Sequence, residues 1–191
     1  MPPLEGNDVL IALHALHGKL QREMRERFDR DLPFEELVFD RWERAKALGF
    51  GARASIYHNA YVFGDVRVGA DTWIGPLVML DGSGGRIEIG EWCSISPGVH
   101  VYTHDTIKRS LTGGNADAER APVQIGDRSY VGSQAVVLPG ARIGHHCVVA
   151  AGSLLNCEIP PHSIAAGVPA RIRGRVAIDE SSHSVELEWD D

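Results

Sequence analysis

A histidine beside an aspartate is the strongest candidate for chemistry in this sequence. His104 and Asp105 stand where a regular six-residue spacing of apolar residues stops, and the segment up to Pro122 does not resume it. Imidazole titrates near neutral pH, so it can accept a proton from an attacking hydroxyl group. We predict that His104 is a general base and that Asp105 orients its ring or binds the acceptor. The alternative is an ordinary surface-loop histidine.

Asp81 is a second carboxylate of interest, because it follows an apolar residue, Leu80, at a point where the spacing slips. A carboxylate there can accept hydrogen bonds from sugar hydroxyls or hold a catalytic imidazole. The glycine-rich run 82–85 follows directly, so the alternative is an aspartate that caps a turn. We predict an acceptor-binding role for Asp81.

The remaining histidines and cysteines show no spacing typical of a metal or redox site. His100 is expected to point outward from a strand, the pair His145–His146 to lie on the surface at a corner, and His162 to be structural. Among the three cysteines, Cys93 and Cys147 fall at positions expected to face a core. The sequence therefore predicts no metal site.

Composition bounds the class of protein. The chain has 191 residues, 43% of them hydrophobic, and a formal charge of −7. This content is enough for a core, and the negative charge argues against nucleic acid or an anionic membrane as the main partner. No run has the length of a transmembrane helix, and the N-terminus lacks a signal pattern, so we expect a cytoplasmic protein.

The apolar residues around the candidates recur at every sixth position. Fifteen anchor positions, read with two interruptions, are all apolar: Phe50, Ile56, Val62, Val68, Ile74, Leu80, Ile89, Ile95, Val101, Ile125, Val131, Val137, Ile143, Val149 and Leu155. Since about half of residues are apolar on average, such a run arises by chance roughly once in 10⁴–10⁵ readings. A β-sandwich would show alternation of period two and irregular turn spacing instead.

Small or β-branched residues stand four positions after most anchors, and glycine often follows the anchor directly. In a triangular coil the anchor fills the interior, the small residue fits a tight corner, and glycine relieves strain at turns. Three hexads close one coil, and coils stack like on like. We predict a mainly β fold, a left-handed parallel β-helix of about five coils over residues 50–176, with an inserted loop at 104–122.

The flanking segments differ from the repeat. Residues 1–49 predict a helical segment, because apolar residues from Leu10 to Met24 recur at three- and four-residue spacing and Pro33 and Gly49 suit the ends of a second helix. Residues 177–191 are acidic and serine-rich, and we expect the end of this tail to be poorly ordered.

Several motifs resemble those of a known family. The triplets at 89–91, 125–127 and 143–145 resemble the hexapeptide signature of bacterial acyltransferases. The segments 130–133, 138–140, 150–153, 159–161 and 166–171 resemble the C-terminal half of the galactoside and maltose O-acetyltransferases. The stretch from Ser94 to Asp105 resembles the part of those enzymes that ends at their catalytic histidine. The resemblance covers about residues 56–174.

The resemblance implies an acetyl-CoA-dependent O-acetyltransferase, usually a homotrimer, with active sites between neighbouring prisms and a saccharide or sugar-nucleotide acceptor. It implies that Ser133, Ala151 and Gly152 line the channel for the pantetheine arm of CoA. Arg171, assisted by Arg173, is implied to meet the 3′-phosphate, to which guanidinium geometry is suited. The chain departs from the family at position 157, where a cysteine replaces a common lysine, and in a longer turn after position 81.

Other functions stay open at this point. His104 could equally serve N-acetylation of a nucleotide-linked amino sugar on the same fold. A hexapeptide-repeat carbonic anhydrase needs three histidines around Zn²⁺, drawn from two subunits, and no second histidine follows His104 at a short ligand spacing. A non-enzymatic scaffold would need neither His104 nor Arg171.

Overall fold

The computed structural model describes residues 6–179 and 181–190, and the chain divides into two compact units, 1–41 and 42–191. In the first unit lie α1 (Gly6–Phe28) and α2 (Phe34–Val38), with the His17 ring edge-on to Phe34 at 5.5 Å. The single second helix expected up to residue 49 is wrong. Phe39 adopts an extended conformation (φ −113°, ψ 143°) that ends α2, and a separate helix, α3 (Arg41–Ala47), follows.

The remaining elements are mostly strands of two or three residues. In chain order they are β1 (Ser55–Ile56), β2 (Tyr61–Val68), β3 (Trp73–Ile74), β4 (Met79–Ile89), β5 (Ser94–Ile95), β6 (His100–Tyr102), β7 (His104–Asp105), α4 (Ile107–Leu111), β8 (Glu119–Arg120), β9 (Val123–Ile125), β10 (Tyr130–Val131), β11 (Val136–Val137), β12 (Arg142–Ile143), β13 (Val148–Val149), β14 (Leu154–Leu155), β15 (Glu158–Ile159), β16 (Ser163–Gly167), β17 (Ala170–Asp179) and β18 (Ser184–Trp189). None of the described helices combines the length and the apolar character needed to cross a membrane.

Parallel pairing of like positions arranges these strands into three faces. The first face contains β1, β3, β5, β10, β13 and β16. The second contains the first halves of β2 and β4 with β6, β11 and β14, and the third contains their second halves with β9, β12 and β15. The predicted parallel β-helix is confirmed. It has about six turns rather than five, because β16 adds a sixth rung to the first face.

The interior of the β-helix is filled by the anchors that the six-residue period predicts. All of them are buried except Val62, which is partly buried against the same core. Cys93 and Cys147 are also buried, as predicted, and burial raises the pKa of both thiols. Inward hydroxyls bridge successive coils: the Thr72 hydroxyl donates to the Gly90 carbonyl at 2.7 Å and accepts from the Cys93 N–H at 3.0 Å. Their polar groups therefore cost little to bury.

Two segments are more ordered than the sequence predicts. The inserted loop 104–122 contains the antiparallel pair β7–β8 and the helix α4. The acidic tail forms β18, which pairs antiparallel with β17 along its whole length. Residues 184–189 form this strand because serine or glutamate alternates with Val185, Leu187 and Trp189, the period-two pattern of a strand. The last residue of the tail, for which disorder is expected, lies outside the described residues.

Candidate active site

His104 lies at one edge of the second face, immediately after β6. It opens β7 and pairs with Arg120 on β8. The preceding residue, Thr103, is fully buried, and successive strand residues point to opposite sides, so His104 points outward. Its side chain is 30% exposed. The β7–β8 hairpin therefore holds the histidine at the boundary between the core and solvent.

A carboxylate faces the buried nitrogen of the His104 ring. Asp81 Oδ2 lies 3.9 Å from His104 Nδ1, and Nδ1 is closed to solvent without a hydrogen-bond partner among the described residues. Because 3.9 Å is too long for a hydrogen bond, a small rotation of either side chain is needed to form one. With Nδ1–H directed at Asp81, the lone pair of Nε2 is left for an acceptor. This is the tautomer that a general base requires.

Thr103 ties the Asp81 segment to the histidine segment. Its N–H and its hydroxyl donate to the Asp81 carbonyl at 3.1 and 2.7 Å, and the hydroxyl accepts from the Gly84 N–H at 3.0 Å. A Cβ on Gly84 would lie 2.5 Å from His104 Cβ and 2.5 Å from the Thr103 carbonyl oxygen. Sequence reasoning missed Thr103 and Gly84, for which the glycine run 82–85 is the only signal.

Asp105, predicted to assist His104, has its carboxylate engaged elsewhere. Its Oδ1 accepts the Ile107 N–H at 3.0 Å, at the start of α4. Asp81 also caps a turn, because its Oδ1 accepts the Ser83 N–H at 3.1 Å, but its Oδ2 remains directed at His104. Within the described part of the chain, Asp105 makes no hydrogen bond or ion pair with the imidazole. The structure thus brings Asp81, rather than Asp105, to His104.

His100 occupies a different environment four residues earlier. Its Nδ1 lies 2.9 Å from the Tyr102 hydroxyl, and the two rings meet edge to face with centroids 5.8 Å apart. Both residues flank the buried Val101 on β6 and therefore share the outer surface of the second face. Because the group facing the His100 ring is a neutral hydroxyl that can donate or accept, and not a carboxylate, nothing there fixes the tautomer that a general base requires.

The three small residues predicted to line the CoA channel share the corner between the first and second faces. We call Ser133, Ala151 and Gly152 the small-residue corner. The Gly152 N–H donates to the Ser133 carbonyl at 2.9 Å, so successive coils are joined there. Ala151 and Gly152 are exposed and Ser133 is partly exposed, and a Cβ on Gly152 would meet no described atom within 4 Å. The corner therefore offers backbone amides beside open space.

Arg171 and Arg173 lie exposed on β17. Arg171 pairs with Ala166 on β16. The Gly167 N–H, at the end of β16, donates to the Ser153 hydroxyl at 3.2 Å, and Ser153 directly follows the small-residue corner. Arg171 thus lies on the β16–β17 strand pair, which is hydrogen-bonded to the residue that follows the small-residue corner.

The small-residue corner and His104 lie at opposite edges of the second face. His100 on β6 pairs with Val136 on β11. Ser133 precedes Val136 by one turn, whereas His104 follows His100 around the other end of the strand. Within one chain, the width of the second face separates the two groups.

Comparison with known proteins agrees with the fold. Residues 122–157 match the family model described as bacterial transferase hexapeptide (six repeats). Galactoside O-acetyltransferase from Escherichia coli K12 is 30% identical over 125 residues, which cover 55% of this chain and 61% of that protein. Chloramphenicol acetyltransferase from Klebsiella aerogenes is 30% identical over 114 residues, covering 59% and 51%. The chain spans less than two thirds of the length of these curated relatives.

Solved structures match over more of the chain. The hexapeptide-repeat acetyltransferase VCA0836 from Vibrio cholerae superposes with a TM-score of 0.62 at 28% identity, over 86% of this chain and 90% of that one. Its complex with acetyl coenzyme A gives a TM-score of 0.60 at 27% identity, over 87% and 88%. The predicted resemblance is confirmed: the chain has the parallel β-helix fold and is similar to hexapeptide-repeat acetyltransferases.

Proposed function

We propose that this chain is an acetyl-CoA-dependent acetyltransferase that acetylates a saccharide or sugar-nucleotide hydroxyl, with His104 as general base. The observation that carries the proposal is the His104–Asp81 pair, with Nδ1 buried 3.9 Å from a carboxylate oxygen. The similarity to acetyltransferases, including one crystallised with acetyl coenzyme A, supports the class of reaction.

In this proposal the chain's own groups hold and move one proton. Asp81 fixes the proton of His104 on Nδ1. Nε2 therefore accepts the proton of the acceptor hydroxyl as the hydroxyl oxygen attacks the carbonyl carbon of the acetyl group. The Thr103 and Gly84 contacts hold the two side chains in register. Asp105 keeps the role of shaping the turn into α4.

The residues of the small-residue corner and β17 fit acetyl-CoA, which supplies the activated acetyl group when bound. The open space at Gly152 and the accessible backbone there suit a narrow arm that carries amide groups. The exposed guanidinium groups of Arg171 and Arg173 suit a phosphate at the end of such an arm. Cys157 is partly buried against the core and is not used in this scheme.

The separation between the small-residue corner and His104 supports a trimer with a shared site. An arm bound at the small-residue corner of one chain lies across the second face from His104 of the same chain. A neighbouring copy can supply the histidine instead, and closed rotational symmetry repeats this contact without leaving a free end. We therefore propose a homotrimer whose active sites lie between copies.

Thiol release from acetyl-CoA, measured over a panel of sugars, amino sugars and sugar nucleotides, tests the function. We expect turnover with a hydroxyl acceptor and a loss of about 10²–10⁴-fold in kcat for His104→Ala, the usual contribution of a positioned base. His100→Ala is the matched control and retains most activity.

Three results would count against this proposal. Turnover only with amino sugars would assign N-acetylation instead, and loss in His100→Ala but not in His104→Ala would move the base to the preceding strand. No thiol release with any acceptor, from a trimeric and folded protein, would favour the scaffold hypothesis.

A further inference from the structure

Three histidines meet at the corner between the third and first faces, away from the candidate active site. His145 and His146 connect β12 to β13, and His162 connects β15 to β16. The flanking strands pair on both sides, with Arg142 opposite Glu158 and Val148 opposite Ile164, so the two connections stack directly. The sequence interpretation leaves all three histidines without a chemical role.

The backbone fixes the geometry of this histidine corner. The His162 N–H donates to the His145 carbonyl at 3.0 Å, and the His146 N–H donates to the Asp127 carbonyl at 2.8 Å. His146 and His162 both adopt positive φ, 55° and 59°, and occupy equivalent places in successive coils. Their rings are therefore parallel, 3° apart in orientation, with centroids separated by 4.9 Å.

The ring nitrogens converge. One nitrogen from each of the three rings lies within 4.8 Å of the other two, and the Nδ1 atoms of His145 and His146 are 2.8 Å apart. Tetrahedral zinc with Zn–N bonds of about 2.0–2.1 Å separates its ligand nitrogens by about 3.3 Å. The Nδ1–Nδ1 distance is shorter than this value and the chosen nitrogens all lie within 4.8 Å, so small side-chain rotations bring them to the spacing of zinc ligands.

We propose that His145, His146 and His162 bind a divalent transition metal ion of the zinc class. Imidazole nitrogen is a favoured ligand of such ions, and three of them with one water complete a tetrahedral shell. Cys147 is not the fourth ligand, since its buried Sγ lies 3.1 Å from the Pro160 carbonyl oxygen and burial raises its pKa.

The neighbouring Arg128 determines which ring nitrogen of His146 can bind the metal ion. Arg128 Nη1 lies 3.4 Å from His146 Nε2, so Nδ1, which already faces His145, is the nitrogen open to a metal. Burial, together with the nearby His162, His145 and Arg128, lowers the pKa of His146. The bound ion would clip together the coils that carry β12–β13 and β15–β16.

Calorimetric titration of the full, untagged chain with Zn²⁺ alone tests this site. We expect one ion per chain, and Co²⁺ should give the visible absorption of a tetrahedral nitrogen site. His145→Gln and His162→Asn should each weaken Zn²⁺ at least about tenfold, since even an outer-shell partner of a metal is worth 10–100-fold. Asn at 162 tolerates the positive φ, so folding should survive.

His14→Gln, a change in an exposed histidine of α1, is the matched control and should bind Zn²⁺ as the wild type does. Saturating Zn²⁺ should also raise the Tm of the wild type but not of His162→Asn, because a ligand that binds the folded state stabilises it. Equal Zn²⁺ affinity in the wild type and both corner variants would overturn the proposal. So would binding that disappears in Cys157→Ser instead. Neither readout depends on acetyl transfer, so the two proposals fail separately.

Discussion

At the scale of single residues, the proposed general base, His104, depends on an interaction that the structure leaves just out of hydrogen-bonding range. A buried imidazole nitrogen without a partner typically costs about 1–3 kcal/mol. His104 Nδ1 is such an atom, and Asp81 Oδ2 is 3.9 Å from it. In the proposed mechanism this pair closes to a hydrogen bond when an acceptor or a neighbouring subunit covers it, and that bond sets the tautomer of His104.

Asp81→Asn tests whether this carboxylate positions His104 or binds the acceptor. We expect kcat to fall by about 10–100-fold, as for loss of an orienting partner of a functional histidine, with little change in the acceptor KM. Steady-state kinetics on the acceptor found in the panel measure both, and Asp81→Glu should recover part of kcat. A large rise in KM at unchanged kcat would instead show an acceptor contact.

At the scale of elements, the glycine-rich segment 82–85 inside β4 sets the distance between this strand and the β7–β8 hairpin that carries His104. Gly84 allows this approach because any side chain there would overlap His104 and the Thr103 backbone. Gly84→Ala should therefore cost about 1–3 kcal/mol of folding stability, as overpacking does. It should also lower kcat by more than the loss of folded protein can explain. Denaturation and kinetics on the same preparation measure the two effects.

Gly85→Ala is the graded control for that variant. The nearest atom to a Cβ at this position is the Pro122 nitrogen at 3.2 Å, and the three nearest atoms belong to Ala121 and Pro122 rather than to His104. We expect a smaller loss of stability and nearly unchanged kcat. If the two alanine variants behave alike, close packing at Gly84 has no specific part in placing the base.

The β17–β18 hairpin leads to a prediction about how its turn depends on pH. Hydrogen bonds from Ser181 and Ser182 lower the pKa of Asp179 from 3.8 to about 2. Because the folded pKa lies below the unfolded one, the carboxylate supports the β17–β18 turn above pH 4 and loses this effect as the pH falls toward 2. An NMR titration of Asp179 should show the low pKa, and Ser181→Ala with Ser182→Ala should return it toward 3.8. An ordinary pKa in the wild type would contradict these contacts.

The elements also show which features a sequence can reveal. Anchors such as Ile74 and Val131 are predictable because each coil repeats the same period. For Asp81 the sequence raises two roles, contact with the acceptor or with a catalytic imidazole, and cannot choose between them, since Asp81 and His104 meet across coils after an irregular turn. The three histidines meet because 16 residues, rather than a full 18, separate His146 from His162. Contacts between side chains of different coils depend on such changes in repeat length. The local sequence pattern does not show how these changes align one coil with the next.

At the scale of the whole molecule, the proposed trimer makes each active site the joint product of two chains. His104→Ala destroys the base, and Ala151→Trp fills the small-residue corner, where Ala151 is exposed. Each variant alone should be inactive. Co-refolded in equal amounts, they should recover up to about a quarter of wild-type activity, because one pairing in four unites an intact histidine with an intact corner. Thiol release and light scattering measure the recovery and the trimer together.

The absence of recovery in mixed trimers would place both groups in one chain and remove the shared site. A monomeric mass in light scattering would do the same. Recovery well above a quarter would show that one of the two variants is not inactive by itself, which assays of the separate proteins detect.

All departures from the six-residue spacing between successive interior residues of the β-helix occur at the corner between the second and third faces. Nine residues separate Leu80 from Ile89, 24 separate Val101 from Ile125, and four separate Leu155 from Ile159, whereas the steps across the other two corners are all six. Chain length can therefore vary along one edge without shifting any strand register. Insertions and deletions accumulated there would redesign the surroundings of His104 and leave the opposite edge, with its small residues, unchanged. Evolution can in this way alter what the protein recognises while the rest of its scaffold stays constant.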